Sequence, residues 1–66
     1  MELFEVAAFE KQVEIHGEIA KKARLVLVPT ALLAKNRDAA IALAGKLIPE
    51  DVDTDRLEVL VRPFRG

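Results

Sequence analysis

One segment of this 66-residue chain carries the pattern of an amphipathic helix, and it is short. Asn36 offers a side-chain acceptor to a first helical turn, and Asp38 places negative charge at the positive end of the helix dipole. Pro49 cannot continue the ladder, so the spacing predicts a helix over residues 37 to 48. On a 100° wheel Ala40, Ile41, Leu43, Ala44, Leu47 and Ile48 fill one arc, while Asp38, Ala42, Gly45 and Lys46 take the other. Such a helix is roughly 18 Å long and about 10 Å wide, whereas three strands make a sheet about 14 Å across. Any sheet in this chain therefore has one face covered by the helix and one face left over.

The strands follow from period-two patterning. Residues 2 to 10, ELFEVAAFE, put Phe4, Val6 and Ala8 on one side and Leu3, Glu5, Ala7 and Phe9 on the other. Residues 24 to 35, RLVLVPTALLAK, are rich in β-branched and aliphatic types. Pro29 removes a ladder donor, which predicts a bent strand with the proline at a bulge or on an edge. Residues 50 to 55 form an acidic connection, and Leu57, Val59 and Val61 then alternate with Glu58, Leu60 and Arg62 as a last strand. The expected class is α+β, with order β-β-α-β. Its architecture is a small three-stranded, largely antiparallel sheet with one helix packed on one face, in a single domain over residues 1 to 66. The charged stretch from about 10 to 24, with Gly17 at its middle, fits a long excursion, a hairpin extension or a short helix.

If Phe4, Val6, Leu57, Val59 and Val61 meet Leu43 and Leu47, the opposite face carries Leu3, Phe9, Leu60 and Phe64. It also carries either Leu25 and Leu27 or Val26 and Val28, according to the register of the second strand. Six large apolar side chains at ~1.5 to 3 kcal/mol each represent on the order of 10 kcal/mol, comparable with the whole stability of a small domain. A chain of this size buries only about 60% of its unfolded surface, and without cysteine it has neither a disulfide nor a thiolate metal site for support. Two covers for the back face follow: residues 11 to 23 folding over it through Val13, Ile15 and Ile19, or another subunit or protein. The second is favoured, which predicts an oligomer or a component of an assembly.

Catalytic chemistry finds little to work with. The chain has no Ser, Cys, Tyr or Trp, so a nucleophile would rest on a threonine, a lysine or a carboxylate, with His16 as the one conventional base. Glu14, His16 and Glu18 form a weak metal trio only if they share a strand face, and a solvated loop histidine is the simpler reading. Asp51, Asp53 and Asp55 imitate the start of a calcium loop. Arg56 stands where the sharp turn needs glycine, however, and Arg62 where a bidentate Glu belongs, so these aspartates read as a charged turn bonding nearby backbone. Gly45, at mid-helix, either lets a neighbouring backbone approach or is tolerated there.

Ten basic and eleven acidic residues give a net charge of −1, with the signs interspersed. That balance disfavours nucleic acid and anionic membranes. Arg56, Arg62 and Arg65 have the charge to touch phosphate, but the acidic residues nearby cancel most of their field. No apolar run approaches the ~18 to 20 residues of a membrane span, and Glu2 and Glu5 argue against a signal peptide. The expectation is a non-enzymatic protein with no cofactor, no metal, no small-molecule substrate and no membrane partner.

The segments LFEVA, LLAKNRDAAIALA and RLEVLVRPF together resemble a group of small uncharacterised proteins of tailed bacteriophages. The likeness covers roughly residues 2 to 9 and 31 to 64, and the Val-Arg-Pro-Phe segment is its most distinctive part. It implies a phage gene product, encoded among virion genes, with no assigned catalytic activity. Joined to the spare apolar face, it predicts a small capsid-associated or cement protein of the virion, assembled in the host bacterial cytoplasm. Its partners would be the major capsid protein, another virion protein or copies of itself. The alternative is a soluble phage regulatory protein that binds a host enzyme, adding an edge strand to a partner sheet. The interface residues expected are Leu3, Phe9, Leu60, Arg62, Phe64 and Arg65, with Pro63 stiffening a docking tail.

Overall fold

The computed structural model describes residues 1–64. Its elements are strand β1 (Glu2–Glu10), a hairpin of β2 (Val13–Ile15) and β3 (Glu18–Lys21), strand β4 (Arg24–Ala34), helix α1 (Arg37–Leu47), a short 3-10 turn (Thr54–Arg56) and strand β5 (Leu57–Pro63). The main sheet has the order β4-β1-β5, with β1 antiparallel to both neighbours, and β2 pairs with β3 in a second, two-stranded sheet. The expected α+β class and three-stranded sheet are present, and the stretch between the first two main strands adds the hairpin.

Because β4 and β5 both run against β1, they run parallel to each other, and α1 is the crossover that carries the chain from one to the other over β1. A single crossover lies on a single face. Asn36 caps the helix as expected, its Oδ1 accepting the Ala39 N–H at 2.9 Å. Beneath α1 the core contains Phe4, Val6, Ala34, Ala40 and Ala44, with Leu27, Leu32, Ala39, Val59 and Val61 packed around it.

The helix does not seat itself on its leucines. Leu43 and Leu47, expected against the sheet, are 37% and 48% exposed, and Ala40 and Ala44 are the residues fully buried. Side chains four apart stand one above the other, so two alanines make a flat line along which a helix can approach a sheet closely. Phe4 and Val6 fill the space from the sheet side, and the bulkier leucines lean out along one flank.

The strand β4 bends at two irregularities. Val6 pairs with Thr30, Ala8 with Leu27 and Phe9 with Leu25, so extra residues bulge out between these pairs and Pro29 falls inside a bulge. The two expected registers, Leu25 with Leu27 or Val26 with Val28, are both replaced. Leu25 shares a face with Phe9, while Leu27 shares the helix-covered face with Ala8 and packs on the core. The extra residue between them switches the side on which the chain points.

His16 and Gly17 make the hairpin turn with φ of 54° and 79°, the left-handed pair that a two-residue turn requires. Glu14 lies opposite Ile19 and Ile15 opposite Glu18, so Glu14 and Glu18 project to opposite faces and the Glu14–His16–Glu18 trio is not formed. The hairpin projects from the body of a molecule measuring 45 × 23 × 16 Å, with Ile15 and Ile19 exposed. Residues 11 to 23 do not fold back over the sheet.

Candidate protein interface

The back face of the main sheet is built by strand alternation. On β1 it presents Leu3, Glu5, Ala7 and Phe9; on β4, Leu25, Ala31 and Leu33 pair with Phe9, Glu5 and Leu3; on β5, Glu58, Leu60 and Arg62 pair with Phe9, Ala7 and Glu5. Phe64 continues this side, its N–H donating to the Leu3 carbonyl at 3.0 Å. Of the residues expected at an interface, Leu3, Phe9, Leu60, Arg62 and Phe64 are thus brought to one surface, and Arg65 lies outside the described residues. Leu33, not among the residues expected, shares the odd-numbered phase of Leu25 and pairs with Leu3 in the unshifted stretch of β4.

This surface is apolar and open. Leu25, Leu33 and Leu60 are 57%, 59% and 51% exposed, and Leu3 and Phe64 are also exposed. A concavity whose lining includes Glu5, Ala7, Leu60 and Arg62 also takes in Arg37 at the start of α1, so it is not confined to this face. On the face, Arg62 Nε donates to Glu5 Oε1 at 2.6 Å, a cross-strand ion pair that neutralises both charges within the chain. An exposed pair of this kind adds little stability, but it lowers the net charge that a docking partner must meet.

The sheet edges are poor docking sites by comparison. Since Phe64 N–H bonds to Leu3, the even-numbered residues of β5 direct their backbone groups at β1 and the odd-numbered ones point outward. Pro63 is among the outward ones and has no N–H to offer. On the opposite edge Pro29 removes a donor from the bulged strand β4. Both edges are therefore blunted.

A polar node that composition does not advertise lies where the hairpin leaves the body. Glu10 is 5% exposed; its Oε1 accepts from Arg24 Nε at 2.6 Å, its Oε2 accepts from the Asp53 N–H at 3.0 Å, and Arg56 Nη1 stands 3.7 Å from Oε2. The Asp53 N–H, with Arg24 and Arg56 behind it, holds the Glu10 carboxyl below its ordinary value against the opposing effect of burial. Arg56 also donates to the carbonyls of Lys11 and Lys22 at 2.9 and 3.1 Å, and its own carbonyl accepts from Lys11 N–H at 2.7 Å. One arginine thus ties both legs of the hairpin to the start of β5. The signal was available: Glu10 continues the Phe4, Val6, Ala8 phase of β1 into the core.

Of the arginines considered for phosphate, Arg56 and Arg62 are engaged with Glu10 and Glu5, and Arg65 lies outside the described residues. The Asp53 carboxylate accepts the Asp55 N–H at 3.1 Å, which bears out the charged turn. No group of three metal-ligating side chains occurs among the described residues, and no helix among them is long and apolar enough to cross a membrane. In comparisons with known proteins, no family model, curated protein or solved structure matches this chain.

Proposed function

We propose that this chain is a non-enzymatic structural protein that acts by burying the back face of its sheet against another protein chain, as a small capsid-associated or cement protein of a bacteriophage virion. The observation that carries the reading is the open face itself: a leucine-rich surface, crossed by the Glu5–Arg62 pair, that neither the helix nor the hairpin covers. Exposed apolar patches of this kind mark interaction sites on soluble domains. The likeness of LFEVA, LLAKNRDAAIALA and RLEVLVRPF to small tailed-phage proteins is what points to a virion. The mechanism is addition of interface area without chemistry, and the blunted edges favour docking through the face over adding a strand to a partner sheet.

The test is mass spectrometry of purified particles, with wild-type chain and with Leu33→Glu plus Leu60→Glu. Stoichiometric incorporation of the wild type, and its loss in the double variant with lowered heat resistance of the particles, is the expected result. Absence from particles, with the protein instead found early in infection on a host enzyme, would replace this reading by a regulatory one.

A further inference from the structure

The β5 strip of the back face has a charge pattern that matches itself. Along β5 the outward residues run Glu58, Leu60, Arg62, acid and base equally spaced about a leucine, and Leu60 pairs with Ala7 at the centre of β1. Arg62 spends Nε and Nη2 on Glu5, which leaves Nη1 free to donate, and Glu58 has no ion-pair partner among the described residues.

We propose that the first occupant of this face is a second copy of the chain, packed sheet on sheet about a two-fold axis that runs across the strands over Ala7 and Leu60. The proposal rests on the reading of the back face as a protein interface and names the partner. A two-fold in that position sets Leu60 on Leu60 and Ala7 on Ala7. It also sets Arg62 of each copy over Glu58 of the other, so the ion pair is made twice. Packed sheets cross at about 30°, which displaces residues two positions from the axis by only about 3 Å, within the reach of Arg and Glu side chains. Ala7 at the centre keeps the two sheets from being propped apart.

Area is sufficient. Seven residues of β1 and of β5 lie symmetrically about Ala7 and Leu60, so three strands share a footprint of about 14 by 24 Å, roughly 330 Å² in projection on each copy. With side-chain relief the pair comes to about 1,000 Å² of accessible surface, the threshold for a specific complex. The blunted edges work in the same direction, because they disfavour open-ended strand pairing and leave a closed pair.

Sedimentation of the full chain over a range of concentrations, with three variants, tests this. The wild type is expected to dimerise. Glu58→Arg, which faces Arg62 of the other copy with a like charge, should weaken the dimer by about tenfold or more. Reversing all three charges, with Glu5→Arg, Arg62→Glu and Glu58→Arg, should restore it. Leu60→Cys, in a chain without other cysteines, should be joined to itself by a short bis-thiol cross-linker that spans the roughly 10 Å between packed sheets, a gap too wide for a direct disulfide. A dimer indifferent to Glu58→Arg, or one in which Leu60→Cys fails to cross-link, overturns the proposal. So does a monomer, and an apolar dye then separates the two readings. Dye binding that Leu60→Glu abolishes leaves the face an interface for a different protein, whereas no dye binding overturns both.

Discussion

The two faces of the main sheet are made by the same three strands, and adjacent residues of β1 meet opposite fates. Phe4, Val6 and Ala8 are buried, while Leu3 stands exposed and Phe9 half-buried one position away. Composition does not separate the two sets, since both are largely apolar. The crossover does: one helix joining two parallel strands over β1 lies on one side, and the other side is left to whatever the protein meets. A chain with two apolar sheet faces and one helix is a half-finished sandwich, which is why the uncovered half reads as an interface.

That contrast can be broken most sharply at Phe4. Phe4→Ala removes a buried aromatic from under the helix and should cost about 3 to 5 kcal/mol, enough to unfold much of a chain this small. Leu33→Ala on the other face should shift stability by no more than about 0.5 kcal/mol when measured at a dilution that separates subunits. Equal losses in denaturant titrations would mean that the back face is covered within the chain.

The helix offers a smaller version of the same contrast. Ala44→Leu pushes a large side chain into the close approach of α1 to the sheet and should destabilise by about 1 to 3 kcal/mol, although leucine is nearly as good a helix former as alanine. Leu43→Ala, on the leaning flank, should cost less than Ala44→Leu.

Glu10 sharpens the comparison at the end of β1, where the buried phase turns polar. Its carboxyl is held below the ordinary value of about 4.5, so its contribution is complete above that pH and is lost as pH falls through the lowered folded value. Glu10→Gln should therefore be less stable than the wild type near neutrality, and the gap should close as pH drops below about 4.5. A gap constant from about pH 7 to pH 3 in thermal melts would show that the node acts through packing alone and not through its charge.

A modest gain is expected on the outer side of the helix. A Cβ built at Gly45 meets nothing within 4 Å, so the glycine accommodates no neighbouring backbone. Gly45→Ala should raise stability by about 0.5 to 1 kcal/mol, seen as a higher denaturation midpoint with an unchanged slope.

Much of this arrangement is legible in the sequence. Period two in ELFEVAAFE separates Phe4, Val6 and Ala8 from Leu3 and Phe9, and the cap at Asn36 and the stop at Pro49 bound the helix to within a residue of Arg37–Leu47. Pro29 announced a bulged edge strand. The weakly patterned stretch after Glu10 left its hairpin as one of three alternatives, because its flanking strands are too short to show alternation.

Local pattern, then, determined which elements form and which residues share a side within each unbroken strand, because backbone geometry ties sequence spacing to direction over a few residues. Tertiary structure alone decided the rest: the register switch that parts Leu25 from Leu27, the choice of Ala40 and Ala44 over Leu43 and Leu47 as the helix seat, and the joining of Glu10 to Asp53 and Arg56. Each depends on how closely two distant segments approach, and separation in space between segments is a quantity that spacing along one segment does not contain.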